Sequence, residues 1–191
     1  MRRALIALGL LAVLAGCERP EPAPPVQAAK VVIGGPFQLI DTEHRPVTEK
    51  SLLGKPTAIF FGFTYCPEVC PTTLAELTAA MKALGKDADR LNVVFVSVDP
   101  ERDTPEQLKT YLSNFDPRIR GFTGPPERIE AVAKAYRVYY RKVPTEDGGY
   151  TVDHSSGVYL FDRRGEFVEP IGYGFPLEFV AGRLKRLVSQ S

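Results

Sequence analysis

The sequence predicts an α/β fold, a mixed central sheet with helices on both of its faces. Two continuous apolar runs, 57–63 (TAIFFGF) and 92–98 (NVVFVSV), have the character of strands buried on both sides. Each is followed by a segment with apolar residues at helical spacing, which makes two parallel crossovers. Later, the turn 162–165 (DRRG) joins two further apolar segments as an antiparallel hairpin.

Taken in order, residues 37–40 form a short strand and residues 47–53 a turn or short helix. The first buried strand, 57–63, leads to a helix over 73–84, with Leu74, Leu77, Met81 and Leu84 on one face and Pro71 at the first helical position. After the strand 92–98, Thr104 is a natural N-cap, Pro105 follows it, and Gln107 completes a capping box. That helix runs through Leu108, Tyr111, Leu112 and Phe115. Another helix covers 126–136 with Ile129, Val132, Ala133 and Tyr136 inward. Residues 138–142 and 157–161 read as strands, 166–171 pairs back on the latter, and 177–188 is a closing amphipathic helix. This order of elements is thioredoxin-like.

The first sixteen residues stand apart from that fold. Arg2 and Arg3 precede an apolar run from Ala4 to Ala15, and Leu14-Ala15-Gly16-Cys17 closes it with small residues. The pattern is a secretory signal, too short for a comfortable membrane span, and its end resembles a bacterial lipobox that would leave Cys17 as a lipidated N-terminus. A rival reading makes 1–17 an uncleaved anchor. Both place the domain outside the cytoplasm, at a membrane surface of a bacterial cell envelope. Residues 17–34 then form a tether, four of whose residues between 18 and 29 are prolines. The folded domain is expected over 35–191. Hydrophobic residues make up 44% of the chain and the formal charge is +1 without basic runs, so one core of ordinary size is expected and nucleic acid is excluded as a partner.

The chain has three cysteines. If Cys17 carries lipid, Cys66 and Cys70 remain, and one close pair does not make a disulfide scaffold. The pair lies where a strand hands over to a helix, the usual place for ligand and catalytic sites in α/β sheets. Pro67 and Pro71 each disfavour helical backbone at the preceding residue, so both cysteines are expected to be non-helical, with Cys70 as N-cap. A loop of this kind permits a disulfide, a redox-active pair, or shared coordination of one ion. The nearby helix N-terminus favours thiolate.

Of the two histidines, His44 falls in a polar turn and reads as solvated surface. His154 stands immediately before the strand 157–161. Thioredoxin-like folds place that loop against the cysteine loop, commonly with a cis-proline, and this chain has Asp153-His154-Ser155-Ser156 there instead. Two thiolates and an imidazole make a soft set suited to Cu(I). Asp153 is a candidate to orient the imidazole from behind. Zinc competes, but a structural zinc site normally fills four protein positions, and Met81 reads as helix core rather than a fourth ligand.

Three blocks, 60–71 (FFGFTYCPEVCP), 96–105 (VSVDPERDTP) and 153–156 (DHSS), resemble the signature of the Sco/SenC family in order and separation, over roughly 35–187. The resemblance implies a protein that binds copper through Cys66, Cys70 and His154. It also implies a role in assembling the binuclear copper centre of cytochrome c oxidase, by delivering copper to its copper-accepting subunit or by reducing that subunit's cysteines. Copper donor or thiol reductant proteins are further expected partners. The competing function is a thiol–disulfide oxidoreductase, or a peroxidase, in which one cysteine attacks and the other resolves. Acidic residues in the 99–104 block serve as strand end and helix cap, or else tune the metal or greet a partner. Residues 143–150 are expected to be a mobile loop or hairpin tip beside His154.

Overall fold

Four aromatic or β-branched side chains within five residues, Ile59, Phe60, Phe61 and Phe63, all almost wholly buried, mark the middle of the molecule. They belong to or adjoin β3 (Thr57–Gly62), in a computed structural model that describes residues 32–190. The sequence 1–31, including the signal, Cys17 and most of the tether, lies outside the described residues. Among the described residues no helix is long and apolar enough to cross a membrane.

The main sheet contains β1 (Gln38–Asp41), β2 (Pro46–Thr48), β3, β4 (Asn92–Ser97), β5 (Ile119–Thr123), β8 (Val158–Phe161) and β9 (Phe167–Ile171), in the order β2-β1-β5-β4-β3-β8-β9. β3 pairs in parallel with β4, and β4 with β5, while β8 runs antiparallel to β3 and to β9. Two strands, β6 (Tyr140–Pro144) and β7 (Tyr150–His154), form a sheet of their own.

β3 and β4 lie in the centre because nothing in them needs water. Their side chains are buried on both faces, and each large one contributes about 1.5–3 kcal/mol through burial. The alternation of a strand sends neighbours to opposite sides. Phe60 meets Phe95, which in turn meets Tyr111 of α2 (Pro105–Leu112), on the side where α1 (Val69–Leu84) and α4 (Leu177–Gln190) pack together. Phe61 turns the other way, to Tyr136 at the end of α3 (Pro126–Ala135). Helices therefore cover both faces of a mixed sheet, as the sequence predicts.

Three differences from the expected elements matter. β5 is an additional strand, and it carries the parallel sheet one step further before the chain turns into α3. β7 is also additional: His154 ends a strand instead of sitting in a free loop, and 145–149 form the tip of its hairpin. Third, the domain starts slightly before Gly35. Gly34 N–H donates to the Ala135 carbonyl at 3.0 Å and Ile33 packs against the core.

Candidate metal centre

β3 runs out at Gly62, and the chain turns tightly, with Cys66 N–H bonded to the Phe63 carbonyl. α1 begins at Val69 with Glu68 as a cap residue that supplies no side-chain acceptor. The Cys66 sulfur fills that role, taking the Cys70 N–H at 3.4 Å. Cys70 is thus inside the first helical turn, and Pro71 is at its third position, not its first. The expected non-helical Cys70 is corrected here. The first N–H groups of a helix have no intrahelical acceptor, so a proline among them sacrifices no bond, and the pre-proline bias is small enough to be overridden.

Both sulfurs still stand at the positive end of α1. The Cys66 thiol is held down to about 4, chiefly because the Cys70 thiol donates to its thiolate. Partial burial opposes this, and the backbone N–H groups of Cys70 and Glu68 assist. Cys70 is pushed strongly the other way by sharing that proton and by burial. The pair therefore carries one negative charge, resident on Cys66, with the proton on the buried Cys70. No disulfide joins them.

His154 arrives from the β6–β7 hairpin. Its Nε2 is 3.5 Å from the Cys70 Sγ, and its Nδ1 is 2.9 Å from the Ser155 carbonyl. A carbonyl only accepts, so Nδ1 carries the hydrogen and the Nε2 lone pair faces the sulfurs. The imidazole also stands edge-on to the Phe63 ring at 5.7 Å. One donor atom from each of Cys66, Cys70 and His154 lies within 4.8 Å of the others, a group able to hold a metal ion.

The model of the family described as SCO1/SenC matches residues 25–189. The chain belongs to the SCO1/SenC family. It is 48% identical over 147 residues to "Protein SCO1 homolog 1, mitochondrial" of Arabidopsis thaliana, covering 76% of this chain and 44% of that one. The chain spans about half the length of such curated relatives. Among solved structures it resembles Bradyrhizobium japonicum ScoI with copper bound, with a TM-score of 0.76 and 55% identity over 81% of this chain and 99% of that one. It also resembles BsSco, described as a member of the Sco family of cytochrome c oxidase assembly proteins and as holding a disulfide switch. That likeness has a TM-score of 0.66 and 26% identity, over 84% of this chain and 95% of that one.

The remaining sequence candidates sort clearly in this SCO1/SenC domain. Asp153 does not orient the imidazole. It is adjacent in a strand, hence on the opposite face, and its carboxylate pairs with Arg141 at 3.3 Å. The orienting role falls to the Ser155 carbonyl. His44 is an exposed turn residue bonded to Glu106, and Met81 is wholly buried in the core.

The 99–104 block holds the residues that sequence reasoning undervalued. Thr104 does cap α2, accepting the Gln107 N–H at 3.2 Å. Asp99 and Asp103, however, are both wholly buried. Asp103 accepts from Thr64 N–H at 3.0 Å, the Thr64 hydroxyl at 2.6 Å and the Ser97 hydroxyl at 2.6 Å. It ties the cysteine loop to the end of β4. Asp99 holds Arg102 and accepts the Tyr150 hydroxyl at 2.8 Å, which ties β4 to the histidine hairpin. Two acids four residues apart at the end of a buried strand were the available signal.

Proposed function

We propose that this SCO1/SenC chain is a copper carrier. In this reading it grips copper through Cys66, Cys70 and His154 and serves assembly of the copper centre of cytochrome c oxidase. The observation that carries the reading is the convergence of the three donor atoms, from a loop, a helix start and a separate hairpin, within 4.8 Å. The chemistry of the set fits: two thiolates and a neutral imidazole are soft donors, and three of them suit Cu(I) while leaving room for an incoming ligand. The copper-bound state of the Bradyrhizobium relative supports the choice of metal.

Copper is cargo here, and the chain's own groups do the handling. Cys66 meets the ion as a thiolate already formed. Cys70 gives up its proton on binding, so uptake releases a proton and tightens as pH rises. The recipient is taken to be the copper-accepting subunit of the oxidase, whose thiols enter at the Cys66 side, where Tyr65 is 57% exposed. The domain would be held at a bacterial membrane surface by lipid on Cys17 and the tether that follows, and Cys17→Ala should release it from the membrane fraction.

X-ray absorption on reduced, Cu(I)-loaded protein should show two sulfur donors and one nitrogen. His154→Ala should leave the fold intact and weaken Cu(I) binding sharply. Unchanged affinity in that variant would remove the basis for a three-donor carrier.

One observation favours a second reading, a thiol–disulfide oxidoreductase. An accessible thiolate at Cys66 beside a protonated Cys70 is the arrangement of an attacking thiol and its resolving partner. The disulfide switch described for BsSco supports it. A redox titration of the pair in wild-type and His154→Ala protein separates the two, since exchange chemistry survives loss of the imidazole.

A further inference from the structure

The third donor stands on an arm that the main sheet does not hold. Among the described residues β6 and β7 pair only with each other, and of β7 Val152 alone is buried in the core. Beside His154 the two strands stay paired through Ser155 N–H on the Tyr139 carbonyl, and the imidazole packs on the Phe63 ring. Its other end, Tyr150, is four residues and about 13 Å back along β7.

That far end is gripped from the loop after β4, where Glu101 also pairs with Lys142 of β6. The Arg102 Nε pairs with the buried Asp99, and Nη1 donates to the Tyr150 carbonyl at 2.9 Å. The guanidinium lies over the Tyr150 ring at 3.8 Å and over the Tyr65 ring of the cysteine loop at 4.7 Å. Asp99 in turn accepts the Tyr150 hydroxyl. Tyr150 is thereby held at its carbonyl, its hydroxyl and its ring, all by two residues of the loop after β4. A planar fork with several donors and a stacking face does this; an ammonium cannot.

We propose that Arg102 is a positioning residue for the third donor, a strut that, with Asp99, holds the β6–β7 arm where His154 reaches the sulfurs. This rests on the three-donor reading above. Without the strut the far end of the arm is released, and a displacement of about an ångström at the imidazole removes it from shared coordination. The two cysteines would keep the ion alone, more weakly.

The alternative is that Arg102 acts through Tyr65 on the cysteine loop, and a double-mutant cycle separates the two. Arg102→Ala should weaken Cu(I) affinity, measured against a competing chelator, by about tenfold. In a His154→Ala background the same change should add less than about twofold. Arg102→Lys should behave like Arg102→Ala, and Tyr150→Phe, which removes only the hydroxyl, should give a smaller loss. In metal-free protein, amide hydrogen exchange across 140–154 should speed up in Arg102→Ala while α2 and β4 keep wild-type protection. Equal losses in both backgrounds would overturn the assignment and place the effect on the cysteine loop. Unchanged exchange in the arm would overturn it as well. If His154→Ala itself leaves affinity unchanged, the three-donor reading fails instead, and the exchange measurement still decides whether Arg102 holds the arm.

Discussion

The Cβ that Gly62 lacks would sit 2.7 Å from the Cys70 Sγ, and 2.8 Å from the edge of the Phe95 ring. The last residue of β3 is thus a glycine for want of room: any side chain would strike the buried sulfur on one side and a core ring on the other.

Gly62→Ala should therefore destabilise the domain by about 1–3 kcal/mol, the usual cost of overpacking. The sulfur and the ring must share the displacement, so Cu(I) affinity should fall too, by about tenfold if the sulfur takes most of it. Urea unfolding and chelator competition on one preparation would check both. Wild-type values in each would mean that the chain relaxes freely at this point.

Asp103 offers a second test, because a single carboxylate satisfies three donors there. Asp103→Ala leaves the Thr64 N–H and the Thr64 and Ser97 hydroxyls without their acceptor in a buried place, at a cost of about 2–4 kcal/mol. The cysteine loop is tied to β4 through those bonds, so amides 64–66 should lose protection first. Native-state hydrogen exchange would show it. An even loss over the whole domain would point to a purely global effect.

How much of this was legible in the sequence depends on how much of each element is buried. β3 and β4 are unbroken apolar runs, and α2 announces itself through Thr104 and Pro105, so all three read directly. β5 did not, because Arg120 and Gly121 interrupt it. In the fold Arg120 lies over the Phe122 ring, and Gly121 makes room for Leu112 and Thr42, contacts that no local pattern encodes. β7 escaped for the opposite reason. Only Val152 of its residues is buried, so a solvated arm leaves almost no periodic trace. The cysteines and His154 were legible as residue types, but their meeting depends on an arm set by Arg102 and Asp99 from a distant loop. Asp153 looked apt only because sequence adjacency conceals the alternation of a strand.

Asp41 allows a test by pH. Its carboxylate is nearly buried, which alone would raise its pKa, but the Arg45 and Glu43 N–H groups and the Arg45 guanidinium outweigh that and hold it below the ordinary value. A lowered folded-state pKa contributes stability above the unfolded pKa and loses it as pH falls through the folded one. Asp41→Asn should thus be less stable than wild type near neutrality by about 1 kcal/mol, and the gap should close below about pH 4. Denaturant titrations at pH 7 and pH 3 suffice. A gap of constant size would mean that the charge of Asp41 does not matter.

The cysteine pair gives the last test. The Cys66 thiol is held at about 4 chiefly by the donated hydrogen of Cys70, against the effect of partial burial. Cys70 is wholly buried and keeps its proton. Alkylating reagents attack thiolate, so Cys66 should react alone, at a rate nearly flat from pH 8 to pH 5 that falls only as pH drops towards 4. Cys70→Ala removes the main donor and should move that fall upward, towards the free-thiol value of about 8.5. Cys70→Ser retains a hydroxyl donor and should move it less. Mass spectrometry of the 63–71 peptide after timed alkylation reads both the site and the rate. A Cys66 rate that climbs about tenfold per pH unit through neutrality would show an ordinary thiol, and the proton sharing between the two sulfurs would have to be abandoned.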